Sequence, residues 1–117
     1  MLEGQQTGRT MKIIAAIVLS CFALFSAHGA DPKTNWSNNC VQCHGADGNA
    51  NTSMGKAFNA KDLTNPGIQS SFTDAEAAAA IKDGVTKDGM TRMIAFGGKL
   101  SDEEIKALVA YVRTLKK

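Results

Sequence analysis

The sequence is short of the residues from which most metal sites and disulfide frameworks are built. Its 117 residues include only three cysteines and two histidines, and neither type occurs after His44. A structural zinc site usually takes four cysteine or histidine ligands, so one is not expected here. Aromatic residues are also scarce, at 6% of the chain. A single small domain with so modest a core usually needs a disulfide, a metal or a cofactor to hold it together.

A strong charge of either sign is missing as well. The chain has 13 basic and 11 acidic side chains, a net charge of +2, and from residue 31 onward eleven basic residues face ten acidic ones. Proteins that bind nucleic acids or membrane surfaces carry a clear excess of lysine and arginine. We therefore expect neither kind of partner.

No apolar run is long enough to cross a membrane. The longest, from Ile13 to Phe25, would make about 20 Å of helix against a hydrocarbon core of about 30 Å. It follows Lys12 and is followed by small residues, which is the three-part pattern of a secretory signal peptide. We predict cleavage after Gly29 or Ala30.

That cleavage divides the chain into residues 1–30, the upstream residues with the signal peptide, and one domain of residues 31–117, exported to the periplasm and without a membrane span. A lipid anchor at Cys21 is the alternative, although apolar residues follow that cysteine. After cleavage the domain retains Cys40 and Cys43 as its cysteines and His44 as its histidine.

These three residues form one motif, Cys40-Val41-Gln42-Cys43-His44. The Cys-x-x-Cys-His pattern is typical of covalent c-type haem attachment. Each thiol can add to one vinyl group of the porphyrin, and the adjacent imidazole can bind the iron on the proximal side. The motif predicts one haem c, attached through Cys40 and Cys43, with His44 as the proximal iron ligand.

The two cysteines have three other interpretations. A zinc site lacks its second pair of ligands. A thioredoxin-like redox pair would follow a buried strand, whereas residues 34–39, Thr-Asn-Trp-Ser-Asn-Asn, do not have the pattern of one. The third is a plain structural disulfide within the motif.

The ligand on the other side of the iron is less clear from the residues alone. Without a second histidine in the domain, it would be a methionine or a lysine, or the position would be open. The candidate methionines are Met54, Met90 and Met93. A flexible thioether can also simply fill gaps in packing.

The local patterns predict three helices. Ser101 and Glu104 form a capping box before an apolar stripe, as do Thr73 and Glu76 before a helix that stops near Gly84. The first helix should run from about Pro32 or Thr34 into the motif, with its single tryptophan facing inward. The segment 45–71 reads as an irregular loop. The C-terminal stripe consists of Ile105, Leu108, Val109, Val112 and Leu115.

From near Trp36 to its end, the chain resembles the class I cytochrome c family, particularly the short bacterial members. The haem motif carries most of this resemblance, and the stretch from Met93 to Ser101, before the last helix, carries the rest. The resemblance implies an all-α cytochrome c fold, with about three to four helices and long loops around one haem. It implies Met93 as the distal iron ligand, with Met90 as the alternative. Ile94 departs from the family, which often has proline there.

The resemblance has two further structural implications. The first and last helices should cross, which would place Tyr111 and Ala107 near the first helix. A loop carbonyl near a proline should accept a hydrogen bond from the second ring nitrogen of the proximal histidine. The residues that could supply this carbonyl are Leu63, Asn65 and Pro66.

The functional implication is a monomeric one-electron carrier, not an enzyme, that meets its redox-protein partners transiently. Two alternatives stay open. One is a ligand-binding or peroxide-reactive haem protein with a labile or open sixth position. The other is a dedicated electron-donor subunit of one oxidoreductase.

Overall fold

The computed structural model describes residues 29–117, which form six helices and one small hairpin. The elements in chain order are α1 (Pro32–Asn39), α2 (Val41–His44), α3 (Ser53–Phe58), α4 (Pro66–Ser70), α5 (Asp74–Asp83), β1 (Val85–Lys87), β2 (Met90–Met93) and α6 (Asp102–Thr114). Apart from its last two residues, the predicted segment 1–30 lies outside the described residues. Among residues 29–117, no helix has the length and apolar character needed to span a membrane.

The three longest helices all begin at a side-chain cap, and two of these caps were predicted from the sequence. Asp31 accepts hydrogen bonds from the first backbone N–H groups of α1, and Pro32 occupies the first turn. The capping boxes Thr73–Glu76 and Ser101–Glu104 are both formed. These starts are therefore fixed by local side-chain chemistry.

The hydrophobic core is built mainly from one face of α6. Leu108 is 1% exposed, and the predicted stripe is buried except for Leu115, which is partly buried. Trp36 on α1 is 3% exposed, as its inward orientation requires. Its ring lies 5.6 Å, centroid to centroid, from that of Tyr111, so the predicted approach of Tyr111 to the first helix is confirmed. The remaining core residues are Leu63, Ile81 and Leu100.

The segment 45–71 is more regular than predicted, because it contains α3 and α4. Each helix begins at a polar cap: Thr52 accepts from the Gly55 N–H, and Asn65 accepts from two N–H groups of α4. With six and five residues, the two helices are too short to show helical periodicity in the sequence.

The hairpin was not predicted either, although the all-α class holds for the molecule. Its strands pair antiparallel, with Val85 opposite Met93 and Lys87 opposite Met90. Asp88 and Gly89 connect them with positive φ angles of 53° and 73°. An Asp-Gly pair between short strands is a strong hairpin signal, and it was the feature that could have revealed this element.

Candidate functional site

The Cys-x-x-Cys-His motif consists of Cys40, which follows α1, and the four-residue helix α2. The Cys40 N–H donates to the Trp36 carbonyl at 2.9 Å, and the His44 N–H donates to the Cys40 carbonyl at 2.9 Å. Both thiols are free and partly buried. The fold therefore keeps Cys40, Cys43 and His44 together, as their sequence spacing predicts.

The imidazole of His44 is held by a backbone carbonyl. Its Nδ1 lies 3.2 Å from the Lys61 carbonyl oxygen. Because a carbonyl oxygen can only accept a hydrogen bond, Nδ1 must be the donor. In the neutral ring this leaves the lone pair on Nε2 free to bind a metal.

The identity of this carbonyl corrects the prediction, which named Leu63, Asn65 or Pro66. All three of those carbonyls have other partners. The Leu63 carbonyl accepts from the Gln69 side chain. The Asn65 and Pro66 carbonyls accept from the Gln69 N–H and the Ser70 hydroxyl, within the first turns of α4.

Burial changes the acid–base properties of the motif. It lowers the pKa of His44, partly opposed by the hydrogen bond to Lys61, which favours the neutral imidazole that can bind iron. Burial also raises the pKa of Cys40 to about 11, with a smaller contribution from the nearby Cys43. A reactive redox cysteine has a lowered pKa, so this environment does not favour a thioredoxin-like pair.

The helix α3 packs directly against the motif, a contact that sequence reasoning missed. The Thr52 hydroxyl lies 2.9 Å from the Gln42 carbonyl and 2.8 Å from the Cys43 carbonyl. Gly55 is so close that a Cβ atom there would lie 2.5 Å from the Ala50 carbonyl oxygen and nearer still to that of Cys43. This glycine is required by a close approach of two backbones.

The three candidate methionines have different surroundings. Met93, at the end of β2, is partly buried against the hydrophobic core. Met90 is 53% exposed and Met54 is 37% exposed. Met93 is therefore the most buried of the three methionines.

The residues of the site fit a covalently attached haem. Two free thiols, an imidazole with Nε2 available and a thioether are the donors that such a group uses. In the part of the chain that the structure describes, no three His, Cys, Asp or Glu residues cluster as a metal site. On the turn before Cys40, Trp36 Nε1 and Asn39 Oδ1 are buried without hydrogen-bond partners. Since buried polar atoms nearly always have a hydrogen-bond partner, an ordered water or a bound group would be expected to supply one here.

Comparisons with known proteins agree with this fit. Residues 27–112 match a family model described as cytochrome C oxidase, cbb3-type, subunit III. A solved structure, the KustC0563 c-type cytochrome, is 34% identical with a TM-score of 0.66, over 75% of this chain and 100% of that one. A tyrosine-to-phenylalanine variant of that protein is 33% identical with a TM-score of 0.63, over 74% and 100%. No curated protein matches the chain.

Proposed function

Because the chain belongs to the c-type cytochrome family described as cytochrome C oxidase, cbb3-type, subunit III, and is a class I c-type cytochrome, we propose that it is a one-haem carrier of single electrons. In this proposal the haem is attached through Cys40 and Cys43, and His44 and Met93 are the axial ligands. That the chain is an electron-transfer haem protein follows from the family itself. The hydrogen bond from His44 Nδ1 to the Lys61 carbonyl is the observation that carries the proposal.

Each residue of the site has one task. The haem, when bound, supplies an iron that alternates between the ferric and ferrous states. The two thiols would fix its position covalently, since Cys40 and Cys43 lie within one backbone turn of each other. His44 offers Nε2 because Lys61 holds the other ring nitrogen. The partly buried Met93 would close the sixth position, which favours electron transfer over binding of oxygen or peroxide.

The absorption spectrum tests the ligand set. We expect a weak far-red band in the ferric protein, from charge transfer between methionine sulfur and iron. It should disappear in Met93→Ala and persist in Met90→Ala, because Met90 is the more exposed of the two. Both variants should keep covalently bound haem, since neither changes the attachment motif.

The opposite results would favour the first alternative function. If the band is absent from the wild type, or carbon monoxide readily changes the spectrum of the reduced protein, the sixth position is open. The protein would then be a ligand-binding or peroxide-reactive haem protein. Ile94, 61% exposed next to Met93, is the departure from the family pattern that keeps this alternative in view.

The description of the matching family supports a second candidate, a dedicated electron-donor subunit of one oxidoreductase. A free carrier should purify as a monomer and exchange electrons with several partners. A subunit should instead co-purify with one membrane-bound or soluble oxidoreductase in fixed proportion. For either function we propose export to the periplasm, on the basis of the predicted signal peptide.

A further inference from the structure

A buried polar network joins α4 to the last turn of α6. Gln69 is 5% exposed. Its Nε2 donates to the Leu63 carbonyl at 2.7 Å and to the Val112 carbonyl at 2.8 Å. Both amide protons are thus used, and the Val112 carbonyl, in the last turn of α6, accepts from the Leu115 N–H at 3.1 Å as well as from Gln69.

Arg113 fixes the orientation of this amide. Its Nη1 donates to Gln69 Oε1 at 2.9 Å and also to the Gln69 backbone carbonyl. Its Nη2 donates to the Phe72 carbonyl at 2.8 Å, and its guanidinium lies 4.5 Å from the centre of the Phe72 ring. The pairing of Nη1 with Oε1 leaves Nε2 of Gln69 directed at the two carbonyls, because reversing the amide would place two donors together.

The other end of the network is the segment 61–64, which has no helix or strand of its own. The Leu63 peptide is held on both sides, because its N–H donates to the Gly48 carbonyl at 2.8 Å while its carbonyl accepts from Gln69. Lys61, whose carbonyl accepts from His44, lies two residues before Leu63. A chain of hydrogen bonds therefore runs from α6 through Gln69 and Leu63 to the segment that orients the imidazole.

We propose that Gln69, fixed by Arg113, is a positioning residue for His44. By anchoring Leu63 it holds the Lys61 carbonyl where His44 Nδ1 needs its acceptor. Groups that orient a metal-binding histidine commonly change the properties of the metal when they are lost. The inference rests on the proposed function, since it takes His44 as the iron ligand.

The hydrogen bond itself can be measured in the haem-loaded ferrous protein, by following exchange of the His44 Nδ1 proton with solvent by NMR. The variant Gln69→Met keeps the side-chain length and apolar bulk but cannot donate. We expect the proton to exchange about tenfold faster, because the variant loses one or two buried hydrogen bonds that keep this part of the protein from opening to solvent. The reduction potential should shift in the same variant.

Ile81→Val is the control for general destabilisation, because Ile81 is a buried core residue of α5, outside the Gln69 network. It should lower thermal stability and leave the exchange rate of the His44 proton unchanged. Equal acceleration in both variants would mean a merely structural role and would overturn the inference. If Gln69→Met does not accumulate with haem, Arg113→Lys replaces it, and the same comparison with Ile81→Val decides.

The two proposals can fail separately. Unchanged exchange in a haem-loaded Gln69→Met protein would overturn the positioning role alone. A wild-type protein without covalently bound haem, or with no iron bond to His44, would overturn the proposed function and this inference with it.

Discussion

At the scale of single residues, Gly55 shows packing overriding helix propensity. An alanine in the interior of a helix is ordinarily favoured over glycine by about 1 kcal/mol. At Gly55, however, the added Cβ would meet the carbonyls of Cys43 and Ala50, which are backbone atoms that cannot move aside. We expect Gly55→Ala to destabilise the protein by about 2–3 kcal/mol and to lower the yield of haem-loaded protein.

Gly98→Ala is the matched control for this substitution. A Cβ at Gly98 would have no atom within 4 Å, so the change should alter stability by no more than about 0.5 kcal/mol. Thermal unfolding of both variants, with haem content measured by absorbance, gives the comparison. A Gly55→Ala protein as stable as Gly98→Ala would show that α3 does not pack against the motif as described.

At the scale of elements, Glu104 connects the start of α6 to α1. Its carboxylate accepts from the Asn35 side chain at 2.8 Å and from the Ser101 N–H at 3.2 Å. These hydrogen bonds, that from Asn35 first, lower the pKa of Glu104 from its ordinary value of 4.5. Because the folded-state pKa is lowered, the stabilisation is present above pH 4.5 and is lost as the pH falls through the folded-state value.

We therefore expect Glu104→Gln to reduce the acid sensitivity of the protein. Below pH 4.5 the thermal midpoint of the wild type should fall more steeply than that of the variant, because only the wild type gains a proton at this position. Glu103→Gln is the control, since Glu103 is exposed one residue earlier in the same turn. Identical pH dependence in wild type and Glu104→Gln would contradict the role of the carboxylate.

Elements also show what the sequence could and could not predict. The capping boxes at Thr73 and Ser101 and the stripe on α6 are local patterns, so the corresponding helices were predicted near their observed ends. The helices α3 and α4 were not predicted, because each has only one or two turns and shows no helical periodicity in the sequence. The hairpin was missed although its Asp88-Gly89 turn was visible.

The candidate site also contains residues that a local pattern reveals and residues that only tertiary packing reveals. The Cys-x-x-Cys-His motif is contiguous, so Cys40, Cys43 and His44 could be proposed as site residues from their spacing, and that proposal stays a prediction. The partner of His44 could not, because any residue can supply a backbone carbonyl and only tertiary packing selects Lys61. Gln69 and Gly55 act through contacts with residues that are far from them in the sequence, and a local sequence pattern cannot reveal such contacts. Ligation by Met93 stays a prediction, supported by its partial burial.

At the scale of the whole molecule, the protein core is small for the number of elements it holds. The buried apolar residues come mainly from α1, α5 and α6. Helices α2, α3 and α4 have four to six residues, and helices so short are not stable by themselves in water. Several large apolar side chains remain exposed in the protein alone, among them Met54, Val85, Met90 and Ile94.

A haem bound as proposed would complete this small core, and we therefore predict how the protein behaves without it. We expect the double variant Cys40→Ala, Cys43→Ala, purified free of haem, to lose much of its helical circular dichroism and its cooperative urea transition. The haem-loaded Met93→Ala protein should still unfold cooperatively, because its covalent attachment is intact. If the haem-free double variant unfolded with the midpoint of the wild type, the chain would fold without its cofactor, and the small core would be sufficient by itself.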